Sequence, residues 1–189
     1  MKHSCFFIFF CFFVFPMYAQ DTLFLSAENS IIKYQMSHPT IKWEGINKEI
    51  SGAAVKDSAS DALIFVSITA PVAGFKSDNN TRDNHMQDKT EAQKYPDVLF
   101  ESLAINSDST ILQVKGNLTF HNVTREVNFV VEPQVLDNKT IYTGSLDLLL
   151  TDFGIKPPRL MMIPADNNFT IVFSVAFPDI PSVALSDNP

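Results

Sequence analysis

The chain has 189 residues, 46% of them apolar, and a formal net charge of −7. An acidic surface of this kind repels nucleic-acid phosphates and anionic membrane surfaces, so no nucleic-acid partner is expected. Both cysteines, Cys5 and Cys11, sit in one amino-terminal apolar run, so the rest of the chain offers no disulfide and no thiolate.

That run, Cys5 to Phe15, follows Lys2 and His3 and leads through Pro16 to "MYAQD", the layout of a secretory signal with cleavage after Ala19. It falls well short of the roughly 20 apolar residues that span a bilayer, so no stable membrane anchor is expected. The organisation expected is a signal peptide over 1–19, one domain over 20–178 and a flexible Pro- and Ser-rich tail over 179–189. About 170 residues suit a single domain with a sizeable core. The expected location is the periplasm or the exterior.

Beyond the signal, period-two alternation of apolar and polar residues dominates, and long apolar runs at helical spacing are missing. The pattern predicts an all-β, antiparallel protein. In chain order the strands expected are Ile31 to Ser37, Ile41 to Val55 (interrupted near Gly45), Ala62 to Pro71, Asp97 to Ile105, Thr110 to Phe120, Arg125 to Leu136, Thr140 to Leu150 and Asn168 to Phe177. Short polar links at 106–109, 121–124 and 137–139 read as hairpin turns, which makes sequential strands neighbours. Eight antiparallel strands with one apolar face bury it by closing into a barrel, and such a barrel holds either packed side chains or one elongated ligand.

The segment 79–93 interrupts the alternation. An Asx or Thr cap at its start and Tyr95-Pro96 at its end predict one or two short helical turns between strands three and four. It is charged and amide-rich, yet catalytic signatures are wanting. His38, His85 and His121 lack metal-site spacing, no Gly-x-Ser-x-Gly elbow occurs, and the "DFG" string at 152–154 has none of its kinase companions. No metal, no cofactor and no catalytic residue is expected. A mouth-located pair of His85 with Asp83 or Asp88 is the enzymatic rival, with neither nucleophile nor oxyanion site beside it.

The quoted stretch carries a resemblance. "NNTRDNHMQDKTEAQKYPDVLFES" resembles the YceI-like family's Arg-Asp-x-His segment and its Tyr-Pro-x-Val-x-Phe-x-Ser continuation, here Arg82, Asp83, His85, Met86, Tyr95, Pro96, Val98, Phe100 and Ser102. "VKGNLTFHNVTREVNF" is similar to the family's Gly-x-Leu-Thr hairpin, with Asn122 where a turn glycine is usual, and "LTDFGIKPP" resembles its Asp-Phe-Gly-Ile segment. The resemblance spans roughly Ile31 to Phe177. It implies an extended lipocalin-like barrel, exported, with an apolar tunnel that holds a polyisoprenoid chain in some members.

The expected function is a non-enzymatic carrier or sequestering protein for an isoprenoid or other long-chain apolar lipid. The expected apolar lining is Ile64, Val66, Ile68, Phe100, Leu118, Phe120, Val127, Phe129, Leu146, Leu148, Ile171 and Phe173; Arg82 and His85 are candidates for head-group contact, with structural hydrogen bonding to loop carbonyls the favoured reading of both. The alternative is a filled barrel that serves as a protein-interaction or stress module of the envelope, which a cavity below about 300 Å³ favours.

Overall fold

The computed structural model describes residues 20–179 apart from 109 and 161. The expected signal segment and residues 180–189 of the expected tail lie outside the described residues.

Ten strands form one antiparallel sheet: β1 Gln20–Phe24, β2 Ile31–His38, β3 Ile41–Asn47, β4 Ser51–Asp57, β5 Leu63–Pro71, β6 Asp97–Asp108, β7 Ile111–Phe120, β8 Val123–Leu136, β9 Lys139–Leu149 and β12 Asn168–Pro178. A separate ribbon pairs β10 Arg159–Leu160 with β11 Ile163–Pro164. One helix, α1, covers Asn80–Lys89 between β5 and β6. The expected all-β class and the helix position hold, whereas the expected count of eight strands does not. The stretch expected as one strand from Ile41 to Val55 is two strands, β1 is additional, and β10 and β11 are too short to show any alternation. β1 escaped because only Leu23 of its five residues is buried.

The sheet order is β1-β4-β5-β6-β7-β8-β9-β12-β2-β3, so β3 and β4, consecutive in the chain, lie toward opposite edges. The three residues Lys48 to Ile50 that join them let Asn47 and Ser51 lie at most roughly 14 Å apart, so the two edges must approach each other and the sheet must curl into a half-barrel. Side chains and isolated backbone bonds hold the seam in place of a continuous ladder. Ile46 exchanges both backbone bonds with Lys76, at 2.8 and 2.9 Å. The wholly buried Asn47 donates from Nδ2 to the Pro71 carbonyl (2.8 Å) and accepts the Glu49 N–H at Oδ1 (2.7 Å). Leu25 N–H donates to Gly52 and Ser26 N–H to Ala176, so the chain after β1 crosses to β12.

Two bulges change which side chains face inward. Between β4 and β5, Val55 opposes Phe65 but Lys56 opposes Leu63, which leaves Ile64 as the extra residue. Between β6 and β7 the register shifts between Ser102 and Ala104. Near it the Ser102 hydroxyl accepts the Val66 N–H at 2.9 Å, a side chain standing in for a ladder carbonyl. The β7–β8 turn places His121 and Asn122 both at positive φ, 50° and 60°, the two-residue hairpin geometry that suits the sheet's twist.

Helix α1 starts at Asn79, whose side chain accepts the Arg82 N–H, and frays into turns before Tyr95-Pro96. Its faces are almost wholly polar, and Asp83 is its one buried residue. Asp83 accepts the N–H (3.0 Å) and the hydroxyl of Ser77, and Arg82 donates from Nε to the Ser77 hydroxyl (3.0 Å). Polar bonds, rather than an apolar stripe, seat the helix.

Asn47 has no polar substitute at the seam. Asn47→Leu leaves the Pro71 carbonyl and the Glu49 N–H unpaired and is expected to cost about 2–4 kcal/mol in urea denaturation, against less than about 0.5 kcal/mol for the exposed Asn84→Ala.

Candidate functional site

The inner faces of the curled sheet enclose an apolar cavity of about 200 Å³ that runs along the strands. At one end it is bounded by Met86 and Thr90 of the α1 region, Val72 and Val98; at the other by Leu63, Ile105, Leu112, Val131, Tyr142 and Phe177. Met86 and Thr90 are four residues apart, so α1 and its cap present one face to the barrel end.

Of the expected lining, Val66, Ile68, Phe100, Leu118, Phe120, Phe129, Leu146, Leu148, Ile171 and Phe173 border the cavity. Val127 is buried in the core opposite Gly116 but does not border it. Ile64 is a correction: it lies on the outside, 42% exposed, because the β4–β5 bulge turns it outward and brings Leu63 in. On β6, Val98 and Phe100 line the cavity, Ser102 is buried, and Leu99, Glu101 and Leu103 are exposed. The reading from sequence missed Ile32, Tyr34 and Met36 of β2, although their alternation was available; Met86, Thr90 and Tyr142 carried no comparable signal.

The cavity's shape depends on aromatic rings laid over glycine. Phe100, Phe129 and Phe173 form a belt, with ring centroids 5.4 and 5.6 Å apart, the second contact T-shaped. A β-carbon at Gly116 would sit 2.5 Å from the Phe100 ring, and one at Gly144 would sit 2.6 Å from the Phe173 ring. Glycine there lets each ring lie against the wall instead of standing across the lumen.

Polar atoms gather at the two ends. Near the helix, the Tyr34 phenol borders the cavity, and burial pushes its pKa up, with the Asp83 carboxylate adding to the rise and Arg82, Ser77 and Trp43 opposing it. Arg82 lies over the Trp43 ring, 5.9 Å from its centroid, while it holds Ser77. His85 is exposed on the helix and does not border the cavity. Asp83 is buried on Ser77 and His85 stands about 200° away around the helix, so that pair does not converge on a pocket. His121 instead ties loops together: its Nδ1–H donates to the Phe153 carbonyl (2.9 Å) and its ring meets Tyr95 edge-on at 5.0 Å.

At the far end Lys56 is buried, its Nζ 3.1 Å from Asp61 and 3.6 Å from Asp179. Thr140 donates its hydroxyl to the same Asp179 carboxylate at 2.8 Å. Burial works against the Lys56 charge, but the Asp61 hydrogen bond, Tyr142 and both carboxylates outweigh it and raise its pKa. Burial likewise pushes Tyr142 up. Among the described residues no group of three or more His, Cys, Asp or Glu could hold a metal ion.

A curled antiparallel sheet around an apolar cavity, with a polar helix at one end, is an architecture suited to enclosing a small apolar ligand. The YceI-like domain model matches residues 24–177, and the chain belongs to that family. A UPF0312 protein of Pseudomonas putida is 29% identical over 153 residues, covering 75% of this chain and 79% of its own. Protein YceI of Escherichia coli is 25% identical over 159 residues, covering 78% and 81%. Among solved structures, BcnA of Burkholderia cenocepacia aligns with a TM-score of 0.72 at 20% identity, over 80% of this chain and 98% of its own. A polyisoprenoid binding domain from Saccharophagus degradans, implicated in plant cell wall breakdown, aligns at 0.66 and 13% identity, over 87% and 100%. At these identities the structural likeness establishes the fold.

Gly144→Ala drives the Phe173 ring into the lumen and is expected to cost about 1–3 kcal/mol by overpacking, and Gly144→Ala with Phe173→Leu recovers part of it; thermal and urea unfolding measure both. The raised groups Lys56, Tyr34 and Tyr142 all favour their protonated forms in the folded protein, so their contribution is complete below the ordinary tyrosine and lysine values. It is lost as pH rises through the folded-state values. The urea midpoint is therefore expected to fall above about pH 10, and less steeply in Tyr34→Phe/Tyr142→Phe, provided that the double variant folds.

Proposed function

We propose that this protein is an exported, non-enzymatic carrier that sequesters a long-chain apolar lipid, a polyisoprenoid in the first instance, within the half-barrel. The observation that carries the reading is the unbroken apolar lining from Leu63 and Val131 at one end to Met86 at the other, whose polar atoms are confined to hydroxyls of Tyr34, Thr90 and Tyr142. Membership of the YceI-like family and a fold shared with a polyisoprenoid binding domain support it. Export rests on the amino-terminal signal pattern of the sequence. Arg82, at the helix end beside Tyr34 and Trp43, and the exposed His85 are the head-group contacts in this reading.

Energetics favour such binding without a charged contact. Ten chain carbons buried at about 0.8 kcal/mol each give roughly 8 kcal/mol gross, micromolar before ordering costs. A cavity of about 200 Å³ holds only part of a long chain, so the rest requires the flexible Met36 and Met86 and the Phe belt to move aside. The same volume lies below the roughly 300 Å³ usual for ligand pockets and favours a second reading, a filled barrel acting through its surface as a protein-interaction or stress module.

Native mass spectrometry and solvent extraction of protein purified from its own host separate the two. The carrier reading expects a co-purifying prenyl lipid and saturable rebinding that weakens about tenfold or more in Gly144→Val, where the belt blocks the lumen. Protein that is repeatedly empty and shows no saturable prenyl-lipid binding overturns it in favour of the filled barrel.

A further inference from the structure

The exposed β10–β11 ribbon takes no part in the cavity. Its tip displays Leu160, Met162 and Ile163, and Met162, at 85%, is the most exposed large apolar side chain among the described residues. Met162 also occupies the left-handed region, with φ of 70°. Glycine or asparagine relieves such a turn, whereas a methionine there is strained. Folding alone gives no reason to place a large apolar side chain at that position in water.

The ribbon's base is tied to the barrel by hydrogen bonds and lies at its helix end. Ala165 N–H donates to the Pro158 carbonyl (2.8 Å) and Asp166 N–H to the Ser37 carbonyl (2.9 Å). Asn167 and Thr151 hydrogen-bond each other through side chain and backbone, at 2.9 and 3.1 Å. Phe153 and Ile155 are buried beneath it. The anchoring residues adjoin Met36, Leu150 and Phe169 of the cavity rim. The charged residues from 156 to 166 are Lys156, Arg159 and Asp166, all exposed, which gives the ribbon and its base a net charge of +1 in a chain of net charge −7.

An apolar tip on a basic stem fits one surface: a lipid bilayer with anionic head groups. We propose that the β10–β11 ribbon docks the helix end of the barrel on such a bilayer, with Leu160, Met162 and Ile163 entering the head-group boundary and Lys156 and Arg159 resting on lipid phosphates. The acidic body does not prevent this. At physiological salt, charges interact over only about 8 Å, so the local pair governs contact while the rest of the surface turns away and orients the molecule. Docking stands on the ribbon alone; its use, lipid exchange through the adjacent rim, rests on the carrier reading.

The test is flotation of protein expressed from the full chain with vesicles of phosphatidylcholine alone or containing phosphatidylglycerol. Binding to the phosphatidylglycerol vesicles is expected, weakened about tenfold or more by Met162→Asp and by Lys156→Glu/Arg159→Glu. Val135→Asp, an exposed apolar position in β8 near the other end of the barrel, is expected to bind as the unaltered protein does. Melting temperature and co-purifying lipid, measured on each variant, separate a docking defect from a folding defect or a failed carrier. Absence of vesicle binding, equal binding by a folded Met162→Asp protein, loss with Val135→Asp instead, or a ribbon that mediates self-association rather than vesicle binding would each overturn the proposal.

Discussion

The structure depends on one constraint: a single-layer antiparallel sheet with an apolar inner face and no second layer to cover it. In water such a face must fold onto itself. The three-residue link from Asn47 to Ser51 dictates how, because it joins strands that lie toward opposite edges of the sheet order and so brings those edges together. The seam never becomes a full ladder. Asn47, the Ile46–Lys76 exchange and the crossing segment after β1 satisfy its backbone groups instead.

Curling alone would leave the interior to be filled by whatever side chains point inward, and an eight- to ten-strand enclosure has little spare room. Glycine opposite aromatic residues resolves part of that competition. Phe173 over Gly144 and Phe100 over Gly116 gain burial against backbone and keep their rings at the wall. The space that results is small and wholly apolar in its middle, which makes it costly for water and receptive to hydrocarbon. Capacity is then set by how far the belt and the methionines give way.

Charge is kept at the ends, where Arg82, Asp83 and Lys56 each make structural bonds. Arg82 and Asp83 converge on Ser77 and fix α1 as the closure of one end. Lys56 gathers Asp61 and Asp179 at the other, so that an inward-pointing ammonium at the edge of an apolar cavity is compensated by carboxylates nearer the solvent. The polar run from Thr81 to Lys94, which stands out in the sequence as the natural place for an active site, is therefore chiefly a lid whose polarity seats it.

Period-two alternation was enough to establish an antiparallel all-β fold, the position of the helix and the inward set on β6, because those features follow from local spacing and from the cost of burying Glu101. Ten lining residues could be named on the same basis. Ile64 could not, since a bulge is a property of two strands in register, and no single-strand pattern reveals where an extra residue falls. Tyr142 and Lys56 meet across strands that lie far apart in the chain, and the rings find their glycines only through pairing. Local chemistry determined which segments would be strands and which faces would be apolar. Register and closure, which are long-range, decided how much space those faces leave between them.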